Sequence, residues 1–122
     1  METYLLTFLA LIQFKHWYID FVNQSMAEVE GKGIYGNPLG IWHSLKHGLG
    51  TTACICAITG PVGLSYALIL GALDFVVHYH VDWAKMNWSN RDIQTHAFWV
   101  HLGLDQMAHQ LTYLAIAALT FL

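Results

Sequence analysis

Charged residues are scarce in this chain of 122 residues. They make up 11% of the sequence, whereas a typical soluble domain has roughly 25%. A chain with so few charges and 56% apolar residues cannot cover a water-facing surface, so a lipid-facing surface is predicted. The net charge of −3 provides no basic patch, which argues against nucleic acid as a partner.

Cysteine and proline are also rare, with two of each. Cys54 and Cys56 are two residues apart in an apolar stretch, and on a helix they face different sides. We therefore expect buried free thiols rather than a disulfide or a metal-binding pair. The first apolar stretch follows Glu2 and has no basic residues before it. It is expected to be a retained helix and not a cleaved signal peptide.

Four segments have the length of membrane-spanning helices, at about residues 3–24, 39–59, 62–83 and 92–122. Each has near or above the roughly 20 residues that cross a bilayer. The predicted fold is all-α, a single domain over residues 1–122 that forms an integral membrane four-helix up-down bundle. A three-span alternative treats the uncharged stretch 48–73 as one kinked helix. Four spans are preferred, because a continuous helix from Leu39 to Trp83 would be about 67 Å long.

The basic residues of the connections predict an orientation. Lys32, Lys85 and Arg91 lie in or beside the first and third connections, and the second connection has no basic residue. By the positive-inside rule, these two connections lie in the cytoplasm and both termini lie outside.

Polar residues recur at helical spacing in all four segments. Steps of three or four residues keep side chains on one face, so each segment has one polar stripe. In an up-down bundle the four stripes come to one depth, the cytoplasmic half, and the opposite half is apolar. The candidate metal ligands on these stripes are His16, Asp20, His43, His47, Asp74, His78, Asp82, His101, Asp105 and His109.

A carboxylate inside a bilayer needs a partner that neutralises its charge, since inserting a charged side chain there costs about 2.5–3.5 kcal/mol. Hydrogen bonds between Asp and His residues are one explanation, and a divalent cation bound by both is the other. Four stripes at one depth favour the cation. Nitrogen and oxygen ligands without Cys fit Zn, Mn or Fe, with Zn as the expected ion, and the ligands suffice for one or two ions. Lys15 and Lys46 are expected to extend toward the membrane surface.

Four motifs contain most of these residues: HWYIDFVNQ at residues 16–24, HSLKH at 43–47, HYHVDWAK at 78–85 and DQMAH at 105–109. Together they resemble a family of small bacterial and phage membrane proteins, domain-of-unknown-function family 3307. The resemblance implies a location in the bacterial inner membrane or in the membrane of a phage-infected host, and it implies no particular activity. The motif positions that it marks are His16, Asp20, Gln24, His47, His78, Asp82, Lys85, Asp105 and His109.

The leading functional hypothesis is a metal-dependent membrane hydrolase that acts on a lipid or lipid-linked substrate from the cytoplasmic side. Asp82 or Asp20 would relay a proton, and Lys85 would bind a phosphate or carboxylate of the substrate. One alternative is a di-iron membrane oxidoreductase, because His43 and His47 resemble one histidine box of membrane desaturases, although the His-His box is absent. Others are a proton or metal transporter, formed by a homo-oligomer, and a non-enzymatic phage or bacterial membrane accessory protein. The expected partners are the lipid bilayer and a lipid-like substrate.

Overall fold

The computed structural model describes residues 1–122 apart from the side chain of Val62, and in this part of the chain the regular elements are all helical. Helix α1 (Glu2–Trp17) continues into a π-helical turn (Tyr18–Val22). The short helix α2 (Met26–Lys32) precedes the three long helices α3 (Pro38–Thr59), α4 (Leu64–Trp88) and α5 (His96–Phe121). A 3₁₀ turn (Pro61–Gly63) links α3 to α4.

The ends of these helices have local causes. Gly60 has φ 71°, a value that favours glycine, and with Pro61 it ends α3 and reverses the chain. The single kinked helix of the three-span alternative is therefore wrong, since α3 and α4 are separate helices that pack together. Helix α5 begins four residues later than predicted, because the Thr95 hydroxyl accepts the N–H of Phe98 and caps the helix there.

The predicted loop between the first two long helices contains α2, which was not predicted. Ser25 and Glu28 form a capping box: the Ser25 hydroxyl accepts the N–H of Glu28, and the Glu28 carboxylate accepts the N–H of Ser25. Lys46 on α3 binds the Glu28 carboxylate at 2.6 Å and the carbonyl oxygen of Asn23 at 2.6 Å. Burial raises the pKa of Glu28, but its hydrogen bonds with Lys46 and Ser25 outweigh burial and hold this pKa below its ordinary value.

The long helices run antiparallel to their neighbours and divide the interior into two halves. At one end, an apolar cluster contains Phe8, Ile12, Ile55, Ala67, Leu70, Tyr113, Ile116 and Ala117. At the other end lie α2, the last turns of α1 and α4, and the first turns of α3 and α5. This second half contains most of the buried His and Asp side chains. The apolar half and the polar half therefore follow the division predicted from the stripes.

Two helices are long and apolar enough to cross a membrane, Glu2–Val22 and Leu64–Trp88. Helices α3 and α5 are of similar length, but histidines and other polar residues interrupt their apolar character. An arrangement with four membrane spans stays a prediction.

Candidate metal centre

Asp20 is at the centre of the first group of candidate ligands. It lies in the π-helical turn of α1, and such turns occur frequently at functional sites. Its Oδ1 lies 2.9 Å from Nε2 of His43, 2.9 Å from Nε2 of His47 and 3.7 Å from Nε2 of His78. All four side chains are buried, and each offers a ligand atom within 4.8 Å of the others. Two helices, α3 and α4, therefore direct three imidazoles toward one carboxylate.

The second group shares His78 with the first and adds Asp82 and His109. The Nε2 of His109 lies 3.3 Å from Oδ1 of Asp82 and 3.2 Å from Oδ1 of Asp105. The Nε2 of His78 lies 3.3 Å from the other oxygen of Asp82, Oδ2. Asp82 therefore stands between the two groups.

Several ligand atoms in both groups are buried and, among the described residues, have no hydrogen-bond partner. These atoms are Nε2 of His43, His78 and His109 and Oδ1 of Asp105. Oδ2 of Asp82 also has no hydrogen bond of suitable direction, but it forms an ion pair with the Lys32 ammonium at 3.0 Å. His43 Nε2 is close to Asp20 Oδ1, yet this contact does not have the direction of a hydrogen bond. An unpaired buried polar group costs about 1–3 kcal/mol. A divalent cation among these atoms would satisfy them together, so the donor set fits a metal.

Some of the distances in the cluster, those around Asp82 Oδ2, are also those of ligands that share an ion, whereas the 2.9 Å contacts of Asp20 Oδ1 have the length of hydrogen bonds. Two ligands that bind one tetrahedral ion at about 2.0–2.2 Å are about 3.3–3.6 Å apart. The contacts of Asp82 Oδ2 with His78 Nε2 and His43 Nε2 are 3.3 and 3.5 Å. Ordinary N–H···O hydrogen bonds are shorter, at about 2.7–3.2 Å.

Two lysines lie at the loop-facing side of the cluster, which is the side toward α2 and the connection between α4 and α5. The Lys85 ammonium is 2.9 Å from Oδ2 of Asp105, and the Lys32 ammonium is 3.0 Å from Oδ2 of Asp82. Both line a pocket of about 80 Å³ whose other polar walls are Asp20, Asp82, Asp105, Gln24 and Gln106. Lys85 was predicted to bind an anionic group of a substrate, and in the structure its ammonium is paired with Asp105 on α5. Lys32 was missed, because the sequence around it read as a loop.

Asp74 and His101, two of the ten predicted ligands, lie apart from both groups. Asp74 is one helical turn farther into the apolar half than His78. There it accepts hydrogen bonds from Lys15 at 3.0 Å and from the Thr51 hydroxyl at 2.5 Å. His101 is one turn nearer the loops than Asp105, and its Nδ1 accepts the N–H of Asn90 at 2.8 Å.

Lys15 is buried in the interior, which corrects the prediction that it extends to the membrane surface. Besides Asp74, its ammonium contacts Nδ1 of His47 at 3.4 Å and the hydroxyl of Tyr113 at 3.3 Å. An aspartate within an apolar segment needs a counter-charge, and this need was the signal that could have paired Lys15 with Asp74.

His16 borders the cluster without joining either group. Its Nδ1 is hydrogen-bonded to the Tyr113 hydroxyl and its Nε2 to Oε1 of Gln106, both at 2.8 Å. Its Nε2 also lies 3.3 Å from Oδ2 of Asp20. This position suits a residue that orients Asp20 better than a ligand.

The family described as "Protein of unknown function (DUF3307)" matches residues 5–122 of the chain. The matched range includes every residue of both ligand groups and the two lysines. No curated protein and no solved structure matches the chain.

Proposed function

The chain belongs to the DUF3307 family, and we propose that it is a membrane-embedded, metal-dependent hydrolase that acts on a lipid or lipid-linked substrate. The observation that carries this proposal is the convergence of unpartnered buried nitrogen and oxygen atoms from α3, α4 and α5 around Asp20 and Asp82.

The distribution of side chains supports the membrane location. Among the described residues, more polar than apolar side chains are buried, and large apolar side chains face outward along all the long helices. Leu6, Ile69 and Leu111 are 67%, 64% and 56% exposed. Lipid satisfies such outward faces, and polar residues within a membrane bundle face its interior. Lys32, Lys46, Lys85 and Arg91 all lie near the loop-facing end, which is the cytoplasmic end by the positive-inside rule.

The donor chemistry supports a divalent metal. Imidazole and carboxylate donors fit zinc, which is the expected ion, and also manganese and iron. A bound ion lowers the pKa of water toward about 7 and polarises a substrate oxygen, which is the chemistry that hydrolysis needs.

The residues that line the pocket have two further roles in this proposal, substrate binding and proton transfer. Lys85 and Lys32 present two ammonium groups that bind a phosphate or carboxylate. Asp20 and Asp82 also line the pocket, where a carboxylate oxygen that no ion occupies relays the proton released on hydrolysis. The pocket of about 80 Å³ holds only a small head group, so the apolar part of the substrate remains outside, in the lipid.

Metal content and activity test this proposal together. The full chain is purified in detergent, its metals are measured, and it is assayed on phosphate and carboxylic esters of lipids before and after chelation. Bound zinc or manganese, with activity that is lost on chelation and restored by the metal, is the expected result. Bound iron would favour the di-iron oxidoreductase, and a preparation that binds none of these metals would contradict the proposal.

A transporter is the second candidate, and one observation favours it. The polar contacts extend from His47 through Lys15 to Asp74 and Thr51, beyond the metal groups. However, Phe8, Ile12, Ile55 and Leu70 pack together beyond this point, so the polar chain ends inside the protein. Uptake of zinc or protons into proteoliposomes that contain the chain would favour transport over hydrolysis.

A further inference from the structure

His78 belongs to both groups of candidate ligands, and this sharing bears on the number of ions. A neutral imidazole has one lone pair on Nε2, so this atom binds one ion. The two groups with Asp105 offer more donors than one four-coordinate ion takes. A second ion would therefore depend on His109 and the carboxylates around it.

Asp82 directs its two oxygens to different imidazoles. Oδ2 lies 3.3 Å from Nε2 of His78, and Oδ1 lies 3.3 Å from Nε2 of His109. A carboxylate that bridges two ions gives one oxygen to each. Asp82 has this arrangement with respect to the two histidines, and His43 Nε2 lies on the Oδ2 side, at 3.5 Å.

The imidazole rings give the expected separation of the ions. The rings of His78 and His109 are stacked, with 4.0 Å between their centroids and 20° between their planes. The lone pair of an imidazole nitrogen lies in the ring plane, so an ion bound to each ring lies near the plane of that ring. Because Nε2 of each ring lies 3.3 Å from an oxygen of Asp82, nearly parallel rings 4.0 Å apart are compatible with two ions at a similar separation. Ions in two-metal hydrolytic sites are about 3.5–4 Å apart.

We infer that the cluster binds two divalent ions and that Asp82 bridges them. Asp20, His43, His47 and His78 bind the first ion, and His109 and Asp105 bind the second. This inference deepens the proposed function and rests on its metal binding. Two bridged ions would also hold both the attacking and the leaving oxygen of a substrate, as a hydrolase of phosphate esters requires.

Metal counting and magnetic coupling test the inference on the full chain in detergent. The protein is stripped with a chelator and reloaded with Zn²⁺ for elemental analysis, or with Co²⁺, which accepts the same ligands, for electron paramagnetic resonance. The wild type should bind two ions per chain, and the two Co²⁺ ions should be exchange-coupled. His109→Ala should bind one ion with an uncoupled spectrum, and Asp82→Ala should lose the coupling.

His80→Ala is the matched control, because His80 lies on the same helix as His78 but contacts Tyr35 and the carbonyl oxygen of Val76. It should keep two coupled ions. Asp105→Asn, which preserves side-chain volume, replaces His109→Ala if the latter does not fold, and should weaken binding of one ion only. One ion per wild-type chain would overturn this inference and leave the proposed function intact. Two uncoupled ions would overturn the bridging by Asp82, and no bound ion would overturn both proposals.

Discussion

His47 on α3 and His78 on α4 stack their imidazole rings with 3.6 Å between centroids and 20° between planes. Gly48 follows His47 in α3 and packs against the backbone of Gly71 in α4. A Cβ added to Gly48 would lie 2.7 Å from the carbonyl oxygen of Gly71. The close approach of these backbones lets the two histidines stack, so the helix contact sets the spacing of the ligands.

Gly71→Ala should separate α3 from α4. The new Cβ would lie 2.1 Å from Oγ1 of Thr52 and 2.6 Å from the carbonyl oxygen of Gly48, and the backbone cannot yield locally. We expect a loss of about 1–3 kcal/mol of stability, as for other overpacked contacts, and weaker metal binding. Gly103→Ala on α5 is the control, because its Cβ would meet nothing within 4 Å. Thermal melts and metal analysis of both variants check this, and equal melting temperatures would contradict it.

His78→Ala should lower the metal content by weakening the first ion site. His78 is fully buried, and its Nε2 lies between Asp20 Oδ1 at 3.7 Å and Asp82 Oδ2 at 3.3 Å. We expect between one and two ions per chain by elemental analysis of the purified variant, because His109 and Asp105 still bind the second ion. His80→Ala should retain the wild-type metal content. A variant at His78 with full metal content would mean that His78 is not a ligand of either ion.

Lys85→Met should abolish activity and leave the metal in place. The substitution keeps the apolar stem of the side chain and removes the charge that faces the pocket. Loss of one donor to a developing negative charge typically lowers turnover about 10²–10³-fold. Activity and metal content of the same preparation are the measurements. Arg91→Met is the control, since Arg91 makes an exposed ion pair with Glu30.

A loss of metal together with activity in Lys85→Met would instead make this lysine a structural partner of Asp105. Full activity would mean that Lys32 alone suffices for binding the substrate anion.

Lys15→Met should destabilise the protein, because it leaves the Asp74 carboxylate buried without its ammonium partner. Removing one member of a buried ion pair costs about 3–5 kcal/mol. The double variant Lys15→Met with Asp74→Leu removes both charges and should recover most of this loss. Unfolding in detergent, followed by circular dichroism, measures both variants against the wild type. A double variant no more stable than the single one would show that Lys15 acts mainly through His47 or Tyr113.

The sequence predicted the four membrane-length helical segments and most of the candidate centre from one physical property, the periodicity of polar residues on a helix. His78 and Asp82, or Asp105 and His109, are four residues apart, and such spacing keeps side chains on one face of a helix. Periodicity shows which face of a helix a residue lies on, but it does not show whether that residue lies at the same depth as the cluster. Asp74 and His101 have the correct phase, yet each lies one turn beyond the cluster, where Lys15 and the Asn90 backbone are the nearer partners.

Other features depend on contacts that no local pattern records. Lys32 reaches Asp82 because α2 folds across the loop-facing end of the bundle, and a helix of seven residues has little periodicity to detect. The capping box of Ser25 and Glu28 was a visible signal for that helix. The hydrogen bond between His16 and Tyr113 depends on packing between α1 and α5, which are distant in the sequence.

The π-helical turn at Tyr18–Val22 makes the spacing of this segment more important than its composition. A π turn holds about one more residue than an α turn, so the turn behaves as a one-residue insertion that the helix absorbs. If the same residues instead formed a regular α-helix, the side chains at the end of the turn would be rotated by up to about 100°. Asp20 would then turn away from the imidazoles of α3 and α4. Tyr18 and Phe21, whose side chains face outward, can accept other apolar residues as long as the segment keeps its π-helical geometry.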